Sequence, residues 1–305
     1  MNSIRKAAVL TAMAALAFVP LALGQNSASV DWQVVDEALG VTGKMNEGGV
    51  YKFSLPRSDL TLTSDNVVID PGFALGSWVA FKQTGNPKTA EAIMMGDLVL
   101  TEDELNGVLS RLQEGGVGQT AIHKHLLDES PAVWWTHIEG HGDPVALAET
   151  VRAALEETGT PLEAQESSSE SPALGFDPEQ LDEIMGYKGE ASGLVYKFSA
   201  PRAETITAHG EEIPPSMGTA NALNFQSLGD GQVAINGDFV MTADEVNGVI
   251  EALREHDIQV VTVHNHMMTE RPRLFFMHFW ATGDAPELAR GLRAALNQVN
   301  TAQTN

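Results

Sequence analysis

Apolar and polar positions follow two periods along this chain, and the same succession of periods occurs twice. Leu105, Val108, Leu109 and Leu112 recur at helical spacing behind Thr101 and Glu104, a capping box in which hydroxyl and carboxylate satisfy helix-end N–H groups. The second copy repeats this with Val246, Val249, Ile250 and Leu253 behind Thr242 and Glu245. Further helices are expected from Asp143 with Pro144 to Leu155, and from Asp284 with Pro286 to Leu296. Between the helices, segments 120–127 and 133–139, and again 260–268 and 274–282, alternate with period two. A short turn holding Pro131 or Pro272 joins each pair, which predicts a β-hairpin in each copy. Upstream, the two VYKFS strings, the region 78–82 and the segment ending at 96–100 read as strands, after short helices near 32–39 and 177–185. The order predicts an α+β protein of two homologous domains. Each is a mostly antiparallel sheet with helices on one face, ferredoxin-like in flavour, and the pair is related by a pseudo-two-fold axis.

The duplication is visible residue by residue. Residues 96–155 and 237–296 are identical at 24 of 60 positions without a gap, and VYKFSLPR at 50–57 recurs as VYKFSAPR at 195–202. An offset of 237 minus 96, or 141 residues, is far longer than a solenoid repeat and indicates a duplicated domain. The expected division is a first repeat at 30–155, an acidic Ser-rich linker at 156–175, a second repeat at 176–299 and a tail at 300–305. Residues 1–24 read as a signal peptide, with Arg5 and Lys6 before an apolar run at 7–23 and small residues at Ala22 and Gly24. Export to the periplasm or beyond the cell is therefore expected. The run is short and holds Pro20, so an integral membrane protein is not expected.

Composition narrows the chemistry. The chain has no cysteine, which excludes disulfides and thiolate metal sites and leaves His, Asp and Glu as strong metal ligands. Its formal charge of -23, about -25 without Arg5 and Lys6, repels phosphate backbones and argues against a nucleic-acid partner.

Six of the nine histidines recur in register: His123, His125 and His137 in the first copy, His264, His266 and His278 in the second. With His264 opposite His278, alternation places each trio on one strand face, together with Trp135 in the first copy and Phe276 and Trp280 in the second. The opposite face, with Val261, Val263, Met267, Phe275, Met277 and Phe279, suits a helix-covered core, so the histidines are expected on the open face of the sheet. Three neutral imidazoles suit a divalent transition metal, zinc or copper, and leave a position for water or substrate. Glu129 in the turn and Glu139 beyond His137 are the candidate acid/base residues. Glu139 and His141 occur only in the first copy, which predicts one working site and one modified relative. The alternative is a small-ligand or cell-envelope interaction module in which Trp135, Phe276 and Trp280 wall a pocket and the histidines only form hydrogen bonds. The repeated Gly-Asp pairs at Gly96, Gly237, Gly142 and Gly283 are expected to form turns and caps, and Arg57 and Arg202 to form strand-end salt bridges.

The strings GDLVLTEDELNGV, GDFVMTADEVNGV, HNHMMTERPRLFFMHFWATGD and LARGLRAAL resemble the LppY/LpqO family of exported bacterial proteins, a domain of unknown function. The resemblance spans most of the chain and implies an exported protein without naming a reaction. Family members include lipoproteins, whereas this chain has no cysteine to carry a lipid.

Overall fold

The computed structural model describes residues 29–86, 88–162 and 173–302; the expected signal peptide at 1–24, residues 163–172 of the expected linker and residues 303–305 of the expected tail lie outside them. The first repeat runs α1 (Trp32–Leu39), β1 (Lys44–Asn46), β2 (Val50–Pro56), β3 (Thr63–Ser64), β4 (Val67–Val68), α2 (Pro71–Ala74), β5 (Gly76–Gln83), β6 (Ala92–Thr101), α3 (Glu102–Glu114), β7 (Gly118–His123), β8 (Val133–Gly142) and α4 (Pro144–Leu155). The second runs α5 (Pro178–Met185), β9 (Glu190–Ser192), β10 (Val195–Pro201), β11 (Thr207–Ala208), β12 (Glu211–Glu212), β13 (Ala220–Gly229), β14 (Gln232–Met241), α6 (Val246–Glu255), β15 (Gln259–His264), β16 (Phe275–Asp284) and α7 (Ala285–Leu296). Each repeat forms a six-stranded antiparallel sheet, in the orders β1-β2-β5-β6-β8-β7 and β9-β10-β13-β14-β16-β15. The α+β class and the two similar halves expected from the pattern are what the chain forms.

The helices start where the sequence places them, with one difference. Asp143 and Asp284 cap α4 and α7 by accepting from the N–H groups of Val145 and Glu287. The Thr101–Glu104 box caps α3. In the second copy Glu245 still accepts from Thr242 N–H at 2.6 Å, but residues 242–245 close as a single turn and α6 begins at Val246.

Alternation divides each strand between two cores. Phe53, Leu55, Phe81 and Leu98 of the first sheet pack under its helices with Val108, Leu112 and Val151, and Phe198, Phe225, Phe239 and Phe279 of the second do so with Val249, Leu253 and Leu292. The opposite faces of the two sheets meet each other. Val99, Val133 and Trp135 of the first repeat pack with Val195 and Ala234 of the second, and Val240, Leu274 and Phe276 of the second pack with Val50 and Ile93 of the first. The result is a helix–sheet–sheet–helix stack with two small, pseudo-symmetric apolar cores between the sheets. The face expected to be open is therefore closed by the other repeat. Burial of apolar surface on both faces explains why: a sheet with Trp135, Val99 and Val133 on its second face cannot leave that face in water without losing roughly 2 kcal/mol for each large side chain.

Candidate metal centre

The histidines lie between the two apolar cores, where edge strands β7 and β15 approach each other. Observed register is Thr262 opposite His278 and His264 opposite Phe276, with Ala121 opposite His137 and His123 opposite Trp135 in the first copy. The expected pairing of His264 with His278 is thus off by two residues. A slip of two leaves paired side chains on their faces, so the trio still shares the inner side, but a bulge at Val261 and the end of β15 at His264 carry Val261 and Met267, expected under the helices, into the cores between the sheets. The strands also stop earlier than expected: His125 and His266 lie just past the ends of β7 and β15, at the start of loops that contain Pro131 and Pro272. These loops grip the other repeat. Thr120 Oγ1 donates to His266 O at 2.7 Å, Asn265 Nδ2 to Thr120 O at 2.7 Å, Thr262 Oγ1 to Lys124 O at 2.9 Å and Asn236 Nδ2 to His125 O at 2.7 Å.

All six rings converge. His123 stacks on His264 with centroids 3.9 Å apart, His125 meets His278 at 3.7 Å, and His137 meets His266 at 3.8 Å. Each of these three pairs joins one repeat to the other. Trp135 stacks on His125 at 4.4 Å and Phe276 on His266 at 3.5 Å, so the aromatic residues hold the outer rings of the cluster.

Two aspartates complete it. Asp97 on β6 pairs directly with His137, and Asp238 on β14 with His278. Asp97 Oδ2 lies 3.3 Å from His125 Nε2, and Asp238 Oδ2 lies 2.9 Å from His266 Nε2, outside hydrogen-bonding geometry. These two residues are the Asp of the repeated Gly-Asp pairs that were expected to make turns. At Asp143 and Asp284 that reading is right, since both cap helices. At Asp97 and Asp238 it is wrong, because Gly96 and Gly237 sit mid-strand. Their lack of a Cβ is required by close backbone: a methyl on Gly96 would stand 2.8 Å from Trp78 O, and one on Gly237 would stand 1.9 Å from Ala222 O. Backbone carbonyls orient three of the histidines. His137 Nδ1 approaches Gly96 O at 3.3 Å, His278 Nδ1 approaches Gly237 O at 2.6 Å, and His266 Nδ1 approaches Gly218 O at 3.0 Å. A carbonyl only accepts, so the proton sits on Nδ1 and the Nε2 lone pair faces the cluster.

Burial sets the charge state. It pushes all six histidines below the ordinary imidazole range, His137 to about 3 and His266 to about 4, with repulsion from neighbouring rings adding to the effect at His123, His125 and His264. Burial raises Asp238 to about 7. At neutral pH the rings are uncharged; His123 Nε2 and His125 Nε2 meet each other at 3.1 Å, while ring nitrogens of His123, His137, His264, His266 and His278 face the cluster without a partner. Among the described residues, ten buried side-chain N and O atoms have no hydrogen-bond partner, and eight belong to this cluster: Asp97 Oδ1, His123 Nδ1, His137 Nε2, Asp238 Oδ1, both ring nitrogens of His264, His266 Nε2 and His278 Nε2. Three sets have ligand atoms within 4.8 Å of one another: Asp97, His123, His125 and His137; His123, His264 and His278; and His137, His264 and His266. Two of the three mix the repeats, so the arrangement is one composite centre rather than a working site and a modified relative.

The other expected site residues lie elsewhere. Glu129 accepts from Lys124 and from Val133 N–H and braces the loop after β7; Glu270 does the same with Arg273 and Leu274. Glu139, raised by burial, has His209 and Glu270 as its charged neighbours and belongs to none of the three ligand sets. Trp135, Phe276 and Trp280, expected to wall a ligand pocket, are at most 1% exposed. Trp135 donates to Ala74 O and Trp280 to Asp65, so their polar edges are also engaged. Arg57 is buried against Asp59 and Glu104, and Arg202 against Glu204 and Glu245, as strand-end ion pairs. The aspartates were missed because Gly-Asp is a turn signal in most settings. The available clue was an Asp inside the apolar strings IMMGDLVL and AINGDFVM, where a strand interior must hide it.

A cavity of about 590 Å³ reaches the cluster, and Asp97, His125, His137, Asp238, His266 and His278 line its inner end. Among the described residues no helix is long and apolar enough to cross a membrane. No curated protein matches the chain. Two solved structures are similar over much of its length: a trimeric bacterial microcompartment shell protein PduB, at 11% identity over 85% of this chain and 95% of that one with a TM-score of 0.22, and EtuB from Clostridium kluyveri, at 10% identity over 84% and 88% with a TM-score of 0.20. Superpositions that loose establish no common architecture. The family described as Domain of Unknown Function (DUF1259) matches residues 33–157 and 179–298, one match in each repeat, and the chain belongs to that family.

Proposed function

We propose that this protein binds a divalent transition metal, zinc or copper, in the composite centre, and that the loaded centre acts as a hydrolase on a small molecule admitted by the cavity. The observation that carries the reading is the set of eight unpartnered buried nitrogen and oxygen atoms gathered at one place. Leaving so many polar groups unpaired costs about 1–3 kcal/mol each, a penalty that folding does not accept without a compensating ligand. Neutral imidazoles with Nδ1 fixed by carbonyls, flanked by carboxylates, are the donor set of such ions. A divalent ion there supplies Lewis-acid activation of water or of a carbonyl or phosphoryl group. Because four histidines and both aspartates also line the cavity, ligand and centre share a face, which favours chemistry over closed storage. The proton-handling role expected of Glu129 and Glu139 passes to Asp97 and Asp238, which lie at the cluster. The basic start and apolar run at 1–24 support export, with the centre loaded in the periplasm or outside the cell; N-terminal sequencing of protein from intact cells checks the cleavage.

Elemental analysis of protein purified without a His tag tests the metal reading, with near-stoichiometric zinc or copper expected. A protein that stays metal-free and shows no change in melting temperature with added zinc or copper contradicts it. For the hydrolase, turnover of a panel of ester, amide and phosphoester substrates that disappears with a chelator is expected; a metal-replete protein without turnover across the panel leaves a metal-holding role in its place.

A further inference from the structure

Above the metal centre the cavity carries a second pair of corresponding residues. Lys52 on β2 and Lys197 on β10 are the lysines of the two VYKFS strings, and both line the cavity. Alternation explains their direction: Tyr51, Phe53 and Leu55 turn toward the helices, so Val50, Lys52 and Ser54 turn inward. A lysine on an inward, half-buried strand position is ordinarily matched by a carboxylate. Among the described residues neither has a carboxylate within ion-pair distance. Lys52 Nζ donates to Ser216 O across the repeat boundary at 3.2 Å and sits 4.1 Å from the centre of the Trp78 ring. Asp70 is the acidic group nearest in effect to Lys197, but its carboxylate caps α2 through Gly72 N–H at 2.7 Å. Burial and the nearby Lys197 pull Lys52 down to about 8. Asp97 acts on Lys52 in the opposite sense, as Asp70 does on Lys197, but neither carboxylate closes an ion pair, so two like charges share the cavity without a directly paired counter-ion.

Lys44 lines the same cavity, so three of the chain's eight lysines gather there in a protein of net charge -23. The walls add Ser54, Ser77, Ser199 and Asn224, all able to donate hydrogen bonds. The acidic lining residues, Asp97 and Asp238, stand at the metal end.

We infer that the cavity binds a small anionic molecule whose carboxylate or phosphate group lies between Lys52 and Lys197, with the remainder of the molecule directed at the histidine centre. This rests on the proposed metal function for what happens at that centre, but the lysine pair binds its anion independently of it. The two lysines come from different repeats, so the anion site, like the metal site, exists only where the duplicated units face each other. A single anionic group bridging two ammonium groups explains a pair placed symmetrically about the axis.

Titration calorimetry of the full chain with inorganic phosphate and, separately, with succinate tests this, on metal-free and zinc-loaded protein in parallel. Saturable binding of at least one probe to wild type is expected, weakened at least about tenfold in Lys52→Met/Lys197→Met and kept within a few-fold in Lys52→Arg/Lys197→Arg. Preference between the probes separates phosphate from carboxylate ligands. Zinc content is measured on each sample: anion binding without zinc supports the lysine site while contradicting the metal reading, and zinc without anion binding does the reverse. Binding of neither probe to wild type, or binding unchanged in the methionine pair, overturns the inference. Thermal melting confirms that both variants fold; if the methionine pair does not, Lys52→Met alone is titrated, and undiminished binding there overturns it equally.

Discussion

The two faces of each sheet differ in what they contribute. The helix-covered face is uniformly apolar, with Phe53, Phe81, Phe198, Phe225, Phe239 and Phe279 packed beneath helices whose caps and amphipathic stripes fit it locally. The inner face is apolar only at its rims, in two small cores, and at its centre holds six histidines and two aspartates with half of their side-chain polar atoms unpartnered. One face supplies folding energy and the other spends part of it to hold a reactive centre in fixed geometry. The difference also accounts for the duplication. A single repeat would expose Trp135, Val99 and the histidines to water, and only a second, similar face closes over both.

The largest expected effect that separates the faces is acid sensitivity of the metal-free protein. Each of the six histidines is held below its unfolded value of about 6.5, so the unfolded chain takes up more protons and stability falls as pH drops from about 6.5 toward 4. Asp238 acts in the opposite sense, gaining stability as pH falls from about 7, but it is one group against six. Melting temperature measured against pH is expected to drop steeply over that window, and the zinc-loaded protein to hold its stability to lower pH; a flat profile breaks the comparison. Next in size, Phe279→Ala is expected to cost about 3–5 kcal/mol with or without metal, measured by urea denaturation. His264→Leu is expected to change the metal-free stability by no more than about 1 kcal/mol, because it removes two unpartnered nitrogens while retaining bulk. It is expected to abolish the stabilisation of about 4 kcal/mol that zinc gives wild type at a thousandfold excess over Kd. Equal losses in the two variants without metal would remove the distinction between the faces.

Smaller effects sharpen the inner face itself. Gly237→Ala places its Cβ 1.9 Å from Ala222 O, against 2.8 Å from Trp78 O for Gly96→Ala, so the first is expected to destabilise by about 1–3 kcal/mol and more than the second. At the low end, Glu139→Gln is expected to alter stability by less than about 0.5 kcal/mol and to leave metal content unchanged, since Glu139 lies outside the cluster. Loss of metal in that variant would extend the centre toward His209.

Much of this arrangement was legible in the sequence because it depends on local periods. Helix starts at Asp143 and Asp284, the strands at VYKFS and the shared helix-free face of all three histidines per copy follow from spacing alone, and a register error of two residues does not move the trio to the other face. What alternation cannot state is what a face meets. That His123 stacks on His264, and that Trp135 and Phe276 brace rings rather than line a pocket, depends on the two-fold closure of distant strands. Asp97 and Asp238 escaped for a related reason: tertiary packing turned a turn-forming dipeptide into a strand-interior one. Lys52 and Lys197 escaped because a lysine in an alternating strand reads as solvent-facing until a second sheet covers it.

The central claim is that both repeats hold one metal centre jointly. Metal content per chain of His123→Ala and of His264→Ala, each altered in a different repeat, measured beside the untagged wild type after loading with zinc and desalting, tests it most directly. Both single variants are expected to lose bound zinc alike, while melting cooperatively in its absence. Retention of half or more of the wild-type zinc by either variant would mean separate sites in the two repeats and would contradict the account.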